Sequence, residues 1–431
     1  MQRPHSKGVH FCRHITWGIS FRMQSRVVGS AELFPPSLEA AHARIAAVQP
    51  GDYARSRNAL DGAVSHLSPY ITHGLVSLNE VLAGVNARHP MDVQHKFVFE
   101  LGWRGYFRHV WQHRGAGIMD SSHEGPLPEG LYATRLPDDI RQAFTGVPVI
   151  DMAVRSLYAT GYLHNHARMW LASYVVHMRK VHWRVGADWL YGHLLDGDLA
   201  SNHLSWQWVA GTSSHKPYLF NADNVARFAP PAWHSPRSVI DQSYEALDQL
   251  ARQPRAAYPS VGHAPSAAQI EPPVSEAPPL SFGWKEPEGL EVAGRDVWLV
   301  HPWNLGALPA CVPADTLVVG IFLNDFHRAW PWSERRWTFV ARRMAEMTAL
   351  RWQGDAAAIA AALRGARSVG SIDEPHLGPL LRGLARCEPA PALFPAVDRR
   401  CDAFSQWWKR ALIGVESAAD LLAARQPVSS N

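Results

Sequence analysis

Apolar positions along this chain fall into two rhythms. Up to about residue 230 they recur every three or four residues, the period of helices that bury one face. Ser37 reads as an N-cap, with Leu38, Ala41, Ile45 and Val48 following in one stripe. Residues 92–112 repeat the pattern, turning Phe97, Leu101 and Val110 toward a core. Pro148 suits the first turn of a helix whose stripe is Val149, Ile150, Ala153 and Leu157. The run 165–181 is apolar on most faces, which predicts a central helix. Asn165 and Arg168 on it then need partners, because unpaired buried polar groups are costly. Beyond residue 294 the rhythm changes. Short apolar runs (DVWLV, TLVVGIFL, ALRW, RSVGSI) alternate with helical stretches such as SERRWTFVARRMAEMTA, the pattern of an α/β unit with a parallel sheet. Residues 252–282, rich in Pro, Ala and Ser, read as a linker.

A length of 431 residues fits two domains, since single cores stop growing well below it. The 42 basic and 38 acidic residues give a formal charge of +4, which permits nucleic-acid binding without arguing for it. Cys12, Cys311, Cys387 and Cys401 lie far apart with no CxxC pair, which argues against a zinc or iron–sulfur site and for free thiols in an intracellular protein. No apolar run is long enough to span a membrane, so no span is expected; a cytoplasmic protein and a monomer are the expectations. Walker A and GxGxxG signatures are absent. Eighteen tryptophans exceed what a core of this size needs, and they suit cores, stacking surfaces and electron transfer alike.

The candidate chemistry lies mainly between residues 53 and 208. Asp196 and Asp198 of a D-G-D turn are candidate partners for Arg168. The loop AVSHLSPY offers hydroxyls and backbone N–H groups ahead of a helix, which suits an anion or, more simply, an ordinary helix cap. Glu100 and Trp103 sit on one helix and combine a hydrogen-bonding acid with a flat aromatic wall.

The order TGxPxxDxxxRxLxxTGxxHNxxRM, then DGDLAxNxxxWQWxAGT, resembles the flavin-binding core of the DNA photolyase/cryptochrome family, and within it the cyclobutane pyrimidine dimer photolyases. The resemblance implies an all-α domain that holds FAD, with Tyr53, Ser65, Leu67, Ser68, Arg168, Asp196, Asp198 and Asn202 around the cofactor. It implies a catalytic set facing UV-damaged DNA at Glu100, Trp103, Asn165, Met169 and Trp208, and an electron-transfer pair at Trp206 and Trp183. Two departures stand out. Val64 replaces a family threonine, and the distal tryptophan position holds Gly130-Leu131-Tyr132, so Tyr132, Trp111, Trp170 or Trp189 would have to supply the exit. A weaker resemblance at WLVHPWNLGAL and SERRWTF is to the family's antenna domain, circularly rearranged to the C-terminal side, with His301 and Asn304 read as turn residues. The expected layout is an extension (1–30), a helical FAD-binding domain (31–240), a linker (241–293) and a smaller Rossmann-like α/β domain (294–431), with the antenna pigment left open. The function implied is light-dependent dimer repair. The alternative is a cryptochrome-like photoreceptor that binds FAD without repair.

Overall fold

The computed structural model describes residues 33–214, 216–255 and 269–424. The expected extension at 1–30, Cys12 and the middle of the expected linker lie outside these residues.

The helical part begins as the pattern predicts. Helix α1 (Leu38–Ala47) is capped by Ser37, whose hydroxyl accepts from Ala40 N–H at 3.1 Å. It is followed by α2 (Pro50–Ser56), the short α3 (Ser68–Thr72), α4 (Leu78–Asn86) and the long α5 (Lys96–Arg114). Phe97 and Leu101 of α5 are buried, and Val110 packs on the core half-covered. Next come α6 (Asp138–Arg141), α7 (Pro148–Thr160), α8 (Asn165–Ser173), α9 (Trp183–His193), α10 (Leu199–Ala210), α11 (Ala222–Phe228) and α12 (Tyr244–Ala251). Pro148 opens α7, and Gly161 closes it in the left-handed conformation that glycine adopts without strain.

The central run differs from a continuous helix over 165–181. It is α-helical to Ser173 and continues as a buried π-helical turn, Tyr174–Met178. Three of these helices begin alike. Nδ1 of His95, His164 and His182 accepts the N–H two residues on, which makes each histidine the cap of α5, α8 and α9.

The second part carries a five-stranded parallel sheet. Strands β2 (Asp296–Val300), β3 (Leu317–Leu323), β5 (Leu350–Gly354), β6 (Ser368–Ile372) and β7 (Arg386–Glu388) lie in the order β5-β3-β2-β6-β7. Four of them are the runs read from the sequence, and β7 was not anticipated. Helices α13 (Asn324–Ala329), α14 (Glu334–Met347), α15 (Ala356–Leu363) and α16 (Gly378–Arg382) connect the strands. A small antiparallel pair, β1 (Val274–Ser275) with β4 (Trp332–Ser333), lies partly in the stretch read as linker. Two last helices, α17 (Phe404–Ala411) and α18 (Ala418–Ala423), return to pack on α5 and α4.

One apolar cluster runs from Phe34 through both parts to Leu421. The seam is close enough to exclude side chains: a Cβ on Gly74 would stand 2.3 Å from the Trp303 carbonyl oxygen. His73 bridges it, its ring nitrogens 2.7 Å from Pro302 O and 2.9 Å from Leu195 O. Asn304 and His301 close a turn there, with His301 N–H donating to the Asn304 side chain, as expected for turn residues.

Candidate functional site

Helices α2, α3, α5, α8, α9 and α10 enclose a cavity of about 320 Å³, in the size class of small-molecule sites. Its lining includes all eight positions expected around the cofactor: Tyr53, Ser65, Leu67, Ser68, Arg168, Asp196, Asp198 and Asn202. Glu100, Trp103, Asn165, Met169 and Trp206 line it too. Two expected residues do not. Trp208 is 42% exposed outside it, with its ring 5.5 Å from Tyr218, and Trp183 is buried behind the wall with Nε1 donating to Ser121.

The floor is the D-G-D turn. Arg168 grips Asp196 through Nη2 at 2.8 and 2.9 Å from the two carboxylate oxygens, and its Nε donates to Leu163 O. Burial alone would raise the Asp196 pKa, but Arg168 overrides this and holds the carboxyl below its ordinary range. Asp198 caps α10 by accepting from Ser201 N–H at 2.8 Å, and it pairs with Arg108 Nη2 at 3.0 Å. Burial opposes ionisation there as well, yet the Arg108 charge brings Asp198 down to about 2. Asn202 is anchored one turn on, its amide donating to Ala187 O at 2.8 Å.

The mouth is built by a relay from the α8 cap. His164 Nδ1 takes the His166 N–H, so its proton sits on Nε2 and is donated to Arg57 O at 3.1 Å. Arg57 Nε in turn lies 3.3 Å from the Glu100 carboxylate. Asn165, the first residue of α8, is exposed at this mouth, and its amide points at Met169 Sδ at 3.5 Å. Trp103 lies flat against Phe404 of α17, ring centroids 4.1 Å apart, so one indole face is already covered.

The loop ahead of α3 is a weaker anion cradle than expected, because α3 is only five residues long and has little dipole. It nevertheless holds an unused donor or acceptor. His66 adopts φ +50°, and its buried Nδ1 has no partner among the described residues. With an orphaned ring nitrogen, serine hydroxyls, three arginines and paired acids around one cavity, the donor set fits a large ligand that carries both phosphate and a polar heterocycle.

Sequence reasoning missed the outer ring of this site. Glu374, on the loop after β6, accepts from Arg108 Nη1 at 2.8 Å and from His376 Nδ1 at 2.6 Å. His376 Nε2 accepts Leu199 N–H at 3.2 Å. Arg336 of α14, fully buried, reaches Gly197 O with Nη2 at 2.5 Å. The available signal was Arg104 and Arg108, one helical turn apart on α5, a helix whose single acid, Glu100, cannot pair both of them. Of the alternative electron exits, Trp170 is fully buried on Asn224, while Tyr132 is half-buried with its ring 6.4 Å from His182, the neighbour of Trp183.

Comparison with known proteins defines the class of this helical part: residues 97–234 match the FAD binding domain of DNA photolyase. A deoxyribodipyrimidine photo-lyase of Streptomyces griseus is 35% identical over 167 residues, covering 38% of this chain and 36% of the relative. A cryptochrome DASH of Idiomarina loihiensis is 29% identical over 211 residues, covering 46% and 47%. Among solved structures, a cryptochrome from Synechocystis matches at 27% identity and TM-score 0.40, over 44% of this chain and 43% of that one. The chain thus spans less than half the length of these relatives. Residues 97–234 thus carry an FAD-binding domain of the DNA photolyase type, and FAD is the cofactor that this domain holds. Among the described residues no helix is long and apolar enough to cross a membrane, and no cluster of His, Cys, Asp or Glu is arranged to hold a metal.

Proposed function

We propose that this chain is a light-dependent DNA repair enzyme that splits cyclobutane pyrimidine dimers. The observation that carries this reading is that Glu100, Trp103, Asn165 and Met169 share one cavity with Arg168, Asp196, Asp198 and Asn202. Bound FAD supplies a photoexcitable electron donor, which the protein alone lacks. The chain's own residues do the rest. Tyr53, Ser65, Leu67 and Ser68 form the wall against the cofactor's phosphate side, and Arg168, Asp196, Asp198 and Asn202 bind its polar ring edge. At the mouth, Glu100 offers an acceptor to the polar edge of a flipped dipyrimidine, and the free face of Trp103 offers a stacking wall. Phe404 keeps that indole from rotating, so the wall is in place before the lesion arrives. Trp206, buried against Gly186 where no side chain would fit, is the residue through which an electron would pass toward Trp183.

A photoreceptor that binds FAD without repair is the second reading. The position of Trp208 outside the cavity favours it, since one member of the lesion-facing set stands apart. The relatives carry both photo-lyase and cryptochrome names.

The deciding experiment gives purified protein a defined thymine dimer, a chemical reductant and near-UV or blue light. Light-dependent loss of dimers is expected. Intact dimers with FAD bound and reduced would instead establish the photoreceptor reading.

A further inference from the structure

The charges gathered around the D-G-D turn come from both parts of the molecule. Asp196, Asp198 and Glu374 supply three carboxylates, and Arg104, Arg108, Arg168 and Arg336 supply four guanidinium groups. His376 adds none, because its Nδ1–H serves Glu374 and its Nε2 accepts Leu199 N–H, the bonding of a neutral ring. One positive charge is therefore left over. Among the described residues Arg336 has no carboxylate partner, and its Nε is buried without an acceptor. Among the described residues Glu374 is the only acid of the sheet part in this network, and a single oxygen, Oε1, accepts from Arg108 Nη1, His376 Nδ1 and His376 N–H. It divides the Arg108 cation between itself and Asp198.

We propose that Glu374 is a positioning residue for the flavin site: through Arg108 it orients Asp198 and sets the charge that the cofactor meets at the D-G-D turn. The inference rests on the reading that Asp198 faces the flavin. The sheet part then has a task at the cofactor distinct from light harvesting, since it closes the electrostatic shell of a cavity that it does not itself line. Neutralising Glu374 enlarges the local positive excess and favours whichever cofactor state carries more negative charge, which is the reduced one.

The test is redox titration of the full-length FAD-loaded protein and three variants, with FAD content and thermal unfolding measured alongside. In Glu374→Gln, which keeps shape and loses charge, the reduced-to-oxidised ratio at fixed ambient potential should rise about tenfold. Asp198→Asn should move it in the same direction. Glu374→Asp, which keeps charge and loses shape, should stay near the parent. If Asp198→Asn shifts the ratio and Glu374→Gln does not, the proposal is overturned while the flavin-facing reading stands. If neither shifts, Asp198 is removed from the cofactor's surroundings and both fail. If Glu374→Gln does not fold, Glu374→Asp decides: a parental ratio supports the charge role, and a shifted ratio overturns it.

Discussion

Asp196 and Asp198 are two residues apart, yet they are secured by different regions of the molecule. Asp196 is gripped by Arg168, 28 positions away on a neighbouring helix of the same part. Asp198 depends on Arg108 and, through it, on Glu374, which lies across the seam and 266 positions from Arg108. One wall of the cavity is local and self-sufficient; the other is assembled by two regions meeting. The difference separates what each wall tolerates, because a local pair fails only by mutation, whereas the assembled one fails whenever the seam loosens.

The largest effect should come from the local wall. Arg168→Ala strands a buried Asp196 carboxylate and should cost about 3–5 kcal/mol in denaturant unfolding, with loss of FAD on gel filtration. Acid sharpens the contrast on the other side. The folded pKa of Asp198, about 2, lies below its unfolded value of about 3.9, so its stabilisation is complete above that unfolded value and disappears as pH falls toward 2. It is worth on the order of 2–3 kcal/mol, and Asp198→Asn should flatten this part of an unfolding-versus-pH profile. Next, Glu100→Ala touches only the mouth: FAD should stay bound while dimer repair falls roughly 10²-fold, about the loss of one positioned hydrogen bond to a reacting substrate. Unchanged repair would take Glu100 out of the mechanism. The smallest effect is expected from Asn202→Ala, which should alter the flavin spectrum and the rate of photoreduction at constant FAD content. An unaltered spectrum and rate would place Asn202 away from the reactive edge of the ring.

The same contrast explains what could be read in advance. The Arg168–Asp196 pair, the Ser37 cap, the helix opened by Pro148 and four strands of the sheet were legible because each depends on residues close in sequence or on a short repeat. Glu374, His376 and Arg336 were not, because nothing in SIDEPHLG or SERRW states which helix they will meet. The π-helical turn after Ser173 also escaped, since an apolar run looks alike at either helical period.

The return of the last helices to the beginning of the fold has a consequence for biogenesis. Met91 and Val93 are bonded to Ala418 and Glu416, and Phe404 covers Trp103, so the mouth of the cavity joins segments more than 300 residues apart. A ribosome that has finished α10 must add nearly 200 more residues before Phe404 emerges, a delay on the order of ten to forty seconds. Throughout that interval the indole of Trp103 and the floor around Asp198 lack their partners. Cofactor capture therefore belongs after synthesis, and a nascent helical part needs shelter until its own tail arrives.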